Sequence, residues 1–236
     1  MALLLPYIPP EITVHLGAPD QPAQNVTVPF DDYIKNVASS ELYPTWPEEA
    51  LRANILAQVS FALNRVYTEF YRAKGYDFDI TNSTAFDQAF VQNRDIFENV
   101  SKLVDQLFNS YIRRDGFIEP LLAIYCDGVR TTCPGGLSQW GTVGLAEAGL
   151  IPFDILQTYY GNNIGIVFDA PIFATPDSYP GVAIRRGDRG DNVAIIQRRL
   201  NAISANYPSI DKINPVDGIL ANEPNARCNS FSGFLI

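Results

Sequence analysis

The chain has 236 residues, 47% of them hydrophobic and 12% aromatic, which suits one medium domain plus a small one, or a single large one, and excludes a disordered chain. Its net charge of −9 and the lack of a basic cluster argue against nucleic acid, since the densest cationic run, Arg185-Arg186-Gly187-Asp188-Arg189, is interleaved with acid. No stretch approaches the roughly 18 apolar residues of a membrane span, and Met1–Ile8 lacks a basic leader and is cut by Pro6, Pro9 and Pro10, so no convincing signal peptide is evident. With His15 alone, a multi-histidine zinc site is excluded, and that residue reads as an ordinary strand position between Val14 and Leu16.

In chain order, residues 11–30 alternate and predict strands around a Gly17–Gln24 turn. Asp31–Val37 predicts a short helix carrying Tyr33, Ile34 and Val37. Thr45-Trp46-Pro47-Glu48 has the form of a capping box with Pro at the first helical position. A helix of about 27 residues should follow, with Leu51, Ile55, Ala62, Val66 and Phe70 on one face and Gly75 as its terminator. A second helix is expected over Arg94–Arg113, presenting Ile96, Val100, Leu103, Val104, Leu107 and Tyr111. Pro120–Tyr125 predicts a short buried strand, followed by a loop rich in Gly, Thr and Cys to Gly136. Thr142–Ala148 and Pro152–Tyr160 predict two short helices. Three prolines in Pro171–Pro180 mark the best domain boundary.

Three ordered blocks carry a family resemblance. Tyr33-Ile34-Lys35-Asn36-Val37-Ala38-Ser39-Ser40-Glu41 leads into Trp46-Pro47-Glu48-Glu49-Ala50-Leu51-Arg52-Ala53; Tyr76-Asp77-Phe78-Asp79-Ile80-Thr81 precedes Gln88; and Gly136-Leu137-Ser138-Gln139-Trp140-Gly141 precedes Ile155-Leu156-Gln157-Thr158-Tyr159-Tyr160-Gly161. Together they resemble the catalytic domain of stage II sporulation protein D and its amidase-enhancer relatives. The resemblance implies a lytic transglycosylase that cleaves peptidoglycan glycan strands after N-acetylmuramic acid and leaves 1,6-anhydro ends. Such chemistry needs one carboxyl, first as acid and then as base, in a groove with partly apolar walls.

Glu41 occupies the family's catalytic-glutamate position. The small run Ala38-Ser39-Ser40 before it is expected to leave a groove open, with Tyr43 and Trp46 near enough to wall it. Glu48 and Glu49 are better explained as first-turn residues favoured by the helix dipole. Gln88, Ser138, Gln139 and Trp140 are further candidates for sugar binding; for the last block the alternative is that Trp140 is core and Ser138 caps the next helix. The chain departs from the family at Asn54 and Val59, where Gln and Arg are usual, and at Cys133, which stands in the place of a histidine. Cys126 and Cys133 carry three readings: a disulfide, two ligands of a zinc ion completed by His15 or Asp127, or two free thiols. The favoured expectation is the disulfide and no cofactor.

Residues Ala183–Asn201, followed by Pro215-Val216-Asp217-Gly218-Ile219-Leu220, resemble a three-helix peptidoglycan-binding repeat, with Val193, Ile196, Leu200 and Ile203 as an apolar face and Asp191 as cap. The repeat's third helix has no counterpart in residues 221–236.

The expected organisation is therefore α+β. Residues 1–30 form an N-terminal strand segment and residues 31–170 a catalytic domain with one long central helix and short strands. A linker over 171–180 leads to an incomplete helical wall-binding module over 181–236. Peptidoglycan is the expected partner, in the cell wall or on the spore, with no nucleic acid and no membrane span. The rival expectations are a non-catalytic modulator of a cell-wall amidase and a spore-surface structural protein.

Overall fold

The computed structural model describes residues 6–173, 183–206, 212–213 and 215–220. It divides into two compact units. The described residues from 6 to 173 fall almost wholly in the first, and those from 183 to 220 in the second.

The first unit is a mixed α+β domain, as the sequence predicts. β1 (Glu11–His15) and β2 (Asn25–Pro29) form the expected hairpin, antiparallel from Glu11 opposite Pro29 to His15 opposite Asn25. β3 (Ile80–Thr81) joins β1 in parallel, giving the order β2-β1-β3. α1 (Phe30–Glu41) is longer than the predicted Asp31–Val37 because the small residues beyond Val37 continue its inner face, with Ala38 and Ser39 both buried. That run lets the helix pack closely against the core.

α2 (Glu48–Tyr67) is the central helix, about 30 Å long at 1.5 Å per residue. Its start differs from the capping-box expectation: Pro47 is the cap, no side chain accepts there, and Leu51 N–H donates to the Pro47 carbonyl. It also stops earlier, at Tyr67. The chain continues through a turn with Glu69 at φ +51° and a short 3₁₀ turn to Gly75, whose φ of +90° suits its role as terminator. Every residue from Ala53 to Leu63 is buried, so the helix has no solvent face there. It packs against α1, α3, α4, α5 and β4.

The predicted helix over Arg94–Arg113 resolves into α3 (Glu98–Leu107), a turn, and β4 (Tyr111–Arg114). Val100, Leu103, Val104 and Leu107 face the core as expected, whereas Ile96 lies outside the helix and Tyr111 in the strand. The cause is non-local: β4 pairs antiparallel with β7 (Ile164–Val167), and that ladder overrides the helical period. The strand expected over Pro120–Tyr125 shrinks to β5 (Tyr125–Cys126), parallel to β6 (Leu137–Ser138). α4 (Gln139–Glu147) begins three residues before Thr142, and α5 (Pro152–Tyr160) starts on its proline as predicted. His15 is an ordinary buried strand residue, its ring stacked on Phe78 and its nitrogens against Asn25 Oδ1 and the Ala18 and Gln21 carbonyls.

In the second unit, α6 (Asp191–Asn206) buries Val193 and half-buries Ile196 and Leu200. Gln197 and Asn201 tie it to the segment that follows: Gly218 N–H donates to Gln197 Oε1 at 2.8 Å, and Ile213 N–H to Asn201 Oδ1 at 2.6 Å. The side chain of Ile203, the linker from residue 174 to 180 and the tail 221–236 lie outside the described residues. No helix among the described residues is long and apolar enough to cross a membrane.

Candidate active site

Three polar residues interrupt the buried stretch of α2, and each has a partner that explains it. Ser60 Oγ donates to the Leu56 carbonyl and accepts from Ile112 N–H. Asn54 Nδ2 donates to the Ala50 carbonyl and to Thr142 Oγ1, both at 2.8 Å, clamping α4 to α2. Gln58 reaches the carboxylate of Glu41.

Glu41 is the last residue of α1 and is partly buried. Its Oε1 accepts from Ala89 N–H at 2.8 Å. Its Oε2 accepts from Tyr125 Oη at 2.7 Å and Gln58 Nε2 at 2.8 Å, with Gln139 Nε2 at 3.5 Å. Burial raises the Glu41 pKa above the ordinary carboxyl value, and the hydrogen bonds from Ala89, Tyr125, Gln58 and Gln139 oppose that shift without cancelling it. The result is a carboxyl that keeps its proton to higher pH than a solvated one and still has donors ready for its anion.

Tyr125 is itself oriented. Gln88 Nε2 donates to the Tyr125 hydroxyl oxygen at 2.8 Å, and Tyr33 Oη donates to Gln88 Oε1 at 3.1 Å. This order of donors leaves the Tyr125 proton for Glu41. Burial raises the Tyr125 pKa well above the ordinary phenol value, so it remains a donor. Gln58 Oε1 is buried and has no hydrogen-bond partner among the described residues. Half a turn of that amide would exchange its donor for an acceptor, which is what a protonated Glu41 requires.

The sequence candidates separate into two groups. Tyr43, Trp46 and Trp140 come together as one aromatic cluster, with ring centroids 5.6 Å apart for Tyr43–Trp46, 5.4 Å for Tyr43–Trp140 and 4.8 Å for Trp46–Trp140. Trp140 is 43% exposed and Tyr43 55%, so Trp140 is not core, whereas Trp46 is 8% exposed and backs the pair. Along the chain, Tyr43 follows Glu41 by two residues, and Trp140 follows Gln139, whose Nε2 lies 3.5 Å from Glu41 Oε2. A groove of about 300 Å³ runs from Trp46 past Arg52, Asn99 and Gln106. The other group is structural. Ser138 caps α4, accepting from Gly141 N–H at 3.0 Å, and Gln88 is fully enclosed, touching the Glu41 partners Tyr125 and Gln58.

Cys126 and Cys133 form a disulfide, with Cα atoms 6.0 Å apart. The zinc alternative does not fit: the two thiols are spent on each other, His15 is engaged in the hairpin, and the Asp127 carboxylate accepts from the amides of Val129, Arg130 and Thr131. No group of three His, Cys, Asp or Glu side chains converges among the described residues.

Fold and site together define an α+β domain that holds a hydrogen-bonded carboxyl and a partly exposed aromatic cluster. Residues 21–109 match the family model SpoIID, stage II sporulation protein. The matched span runs from β2 through α3 and includes Glu41, Gln58 and Gln88. Tyr125, the disulfide, Gln139 and Trp140 lie beyond it. No curated protein matches the chain.

Proposed function

We propose that the chain is a peptidoglycan lytic transglycosylase in which Glu41 is the acid and then the base, acting in the wall or spore during sporulation or wall remodelling. The observation that carries this reading is the Glu41 carboxyl itself, partly buried, with four donors converging on it. Aromatic faces stack on pyranose rings, and the groove leading from Trp46 offers room and polar groups for neighbouring sugars.

In the first step Glu41 gives its proton to the glycosidic oxygen as the bond to C1 of N-acetylmuramic acid breaks. Negative charge then develops on the carboxylate, where Ala89 N–H, Tyr125 and Gln58 already point. In the second step Glu41 takes the proton of the same sugar's 6-hydroxyl, and that oxygen closes on C1. No water is consumed and the glutamate regains its proton, so one carboxyl suffices.

Glu41→Gln keeps the shape and removes the exchangeable proton. It should cut release of anhydro-muropeptides by about 10²–10⁴-fold with little change in melting temperature. Wild-type-like release by this variant would remove Glu41 from the chemistry. The exposed aromatic pair would also serve a wall-binding modulator of an amidase. That second reading predicts binding to sacculi in the wild-type chain with no soluble product at all.

A further inference from the structure

Two of the four donors that reach Glu41 come from the two ends of one loop. Tyr125 stands at its start and Gln139 at its end, and both address Oε2. Between them the chain leaves and returns through the parallel pair of β5 and β6, in which Tyr125 lies opposite Leu137 and Cys126 opposite Ser138. A two-residue pair has little stability of its own. The Cys126–Cys133 bond supplies the closure. Cys126 directly follows Tyr125, Cys133 Sγ lies 3.6 Å from the Leu137 carbonyl oxygen, and Gly136 N–H donates to the Cys133 carbonyl at 2.9 Å. Gly128, at φ +79°, lies so close to Ser138 that a Cβ there would strike Ser138 Oγ, which shows how tightly the bridged loop is drawn onto the start of α4. Both cysteines are half-buried.

We infer that the Cys126–Cys133 disulfide is a positioning element for Glu41: it holds Tyr125 and Gln139 against the carboxylate, and cleaving it loosens both contacts. Its functional meaning rests on the acid/base reading of Glu41; its structural test does not. The bridge opens by exchange with a dithiol. One reductant thiolate attacks a cysteine sulfur, the second displaces the mixed disulfide, and the reductant leaves oxidised while the protein gains two electrons and two protons as two thiols.

The consequence for Glu41 has a definite sign. The titratable groups coupled to it are Tyr125 from β5 and Tyr33 from α1, phenols that the Glu41 charge and burial keep protonated; α2, α4 and the Ala89 amide contribute uncharged donors. With Tyr125 and Gln139 loosened, burial remains and part of the anion's stabilisation is gone, so Glu41 holds its proton to higher pH.

The test is a titration of the Glu41 carboxyl carbon by NMR in the full chain labelled with ¹³C-glutamate, assigned by its loss in Glu41→Gln. It is run on the oxidised protein, on protein reduced with dithiothreitol, and on the double variant Cys126→Ala, Cys133→Ala. The expected result is a midpoint at higher pH in both bridge-free forms, with kcat for muropeptide release down about tenfold and KM little changed. A midpoint that does not move in a folded bridge-free form overturns the inference. Loss of the whole fold in both forms overturns it as well, because the bridge would then hold the domain and not the site. A chain that shows the shift but releases no anhydro-muropeptides refutes the proposed reaction and leaves this inference standing.

Discussion

Tyr125→Phe removes a single oxygen from the centre of the site. The hydroxyl donates to Glu41 Oε2 at 2.7 Å and accepts from Gln88 Nε2 at 2.8 Å, so the variant deprives the carboxylate of one donor and Gln88 of one acceptor. A hydrogen bond to a charged group contributes about 1.5–3 kcal/mol, and one between neutral groups about 0.5–1.5 kcal/mol. The cost of the variant therefore depends on whether Glu41 is ionised. Burial already raises the folded-state pKa of Glu41 above its unfolded value. The folded state thus binds the proton more tightly, and this group's contribution to stability is greatest below the ordinary carboxyl range and declines as pH rises through the folded value. Tyr125→Phe raises that folded value further, so the decline extends to higher pH. Urea denaturation should show a loss near the lower range at pH 4 and near the upper range at pH 8. The basic limb of the pH–rate profile, where the acid form of Glu41 disappears, should move to higher pH, and the rate at its plateau should fall because the developing anion has lost a donor. Equal destabilisation at both pH values with an unmoved limb would refute the account of the Tyr125–Glu41 contact.

Cys126→Ala with Cys133→Ala opens a closed loop of about eight residues, for which the chain-entropy relation gives about 2.5 kcal/mol of lost stability by denaturant titration. Asp87→Asn should cost about 3–5 kcal/mol in the same assay, since the enclosed carboxylate accepts from Arg65 Nε at 2.8 Å, Tyr71 Oη and the Thr81 amide and hydroxyl, and its loss leaves Arg65 without a counter-charge. Trp140→Ala should weaken binding to peptide-stripped sacculi severalfold and leave the melting temperature within a few degrees, because the ring is half exposed and meets Tyr43 and Trp46 at an angle.

How far the sequence discloses this arrangement depends on distance along the chain. Local signals hold well: the β1–β2 hairpin, α5 starting on Pro152 and the apolar face of α3 all follow from residues within a few positions of one another. The β4–β7 ladder is invisible to such reasoning because its strands are separated by α4 and α5, and the Tyr111 region reads as more helix until β7 is known to be its partner. The same holds at the site. Glu41 is legible because it sits in a recognisable block, but its donors come from 17, 48, 84 and 98 residues away. Gln58 did leave a trace, an amide within an all-buried helix, where a polar side chain must find a partner. Tyr125 left none; only the fold shows that a residue beside a bridged cysteine faces the carboxylate. Gln88 looks like a ligand-binding amide in sequence and proves to be enclosed, since Tyr33, Tyr125 and the Gln58 carbonyl use its amide.

The central claim is the route by which the glycan bond is closed off, and the product mass decides it. Purified, peptide-stripped peptidoglycan digested by the oxidised full chain in water enriched in heavy oxygen should yield glycan fragments ending in 1,6-anhydro-N-acetylmuramic acid, lighter by one water than reducing-end products and free of the heavy isotope. Glu41→Gln should yield almost none. Products that carry a reducing end with heavy oxygen at C1 would contradict the account, because water and not the sugar's own 6-hydroxyl would then have attacked.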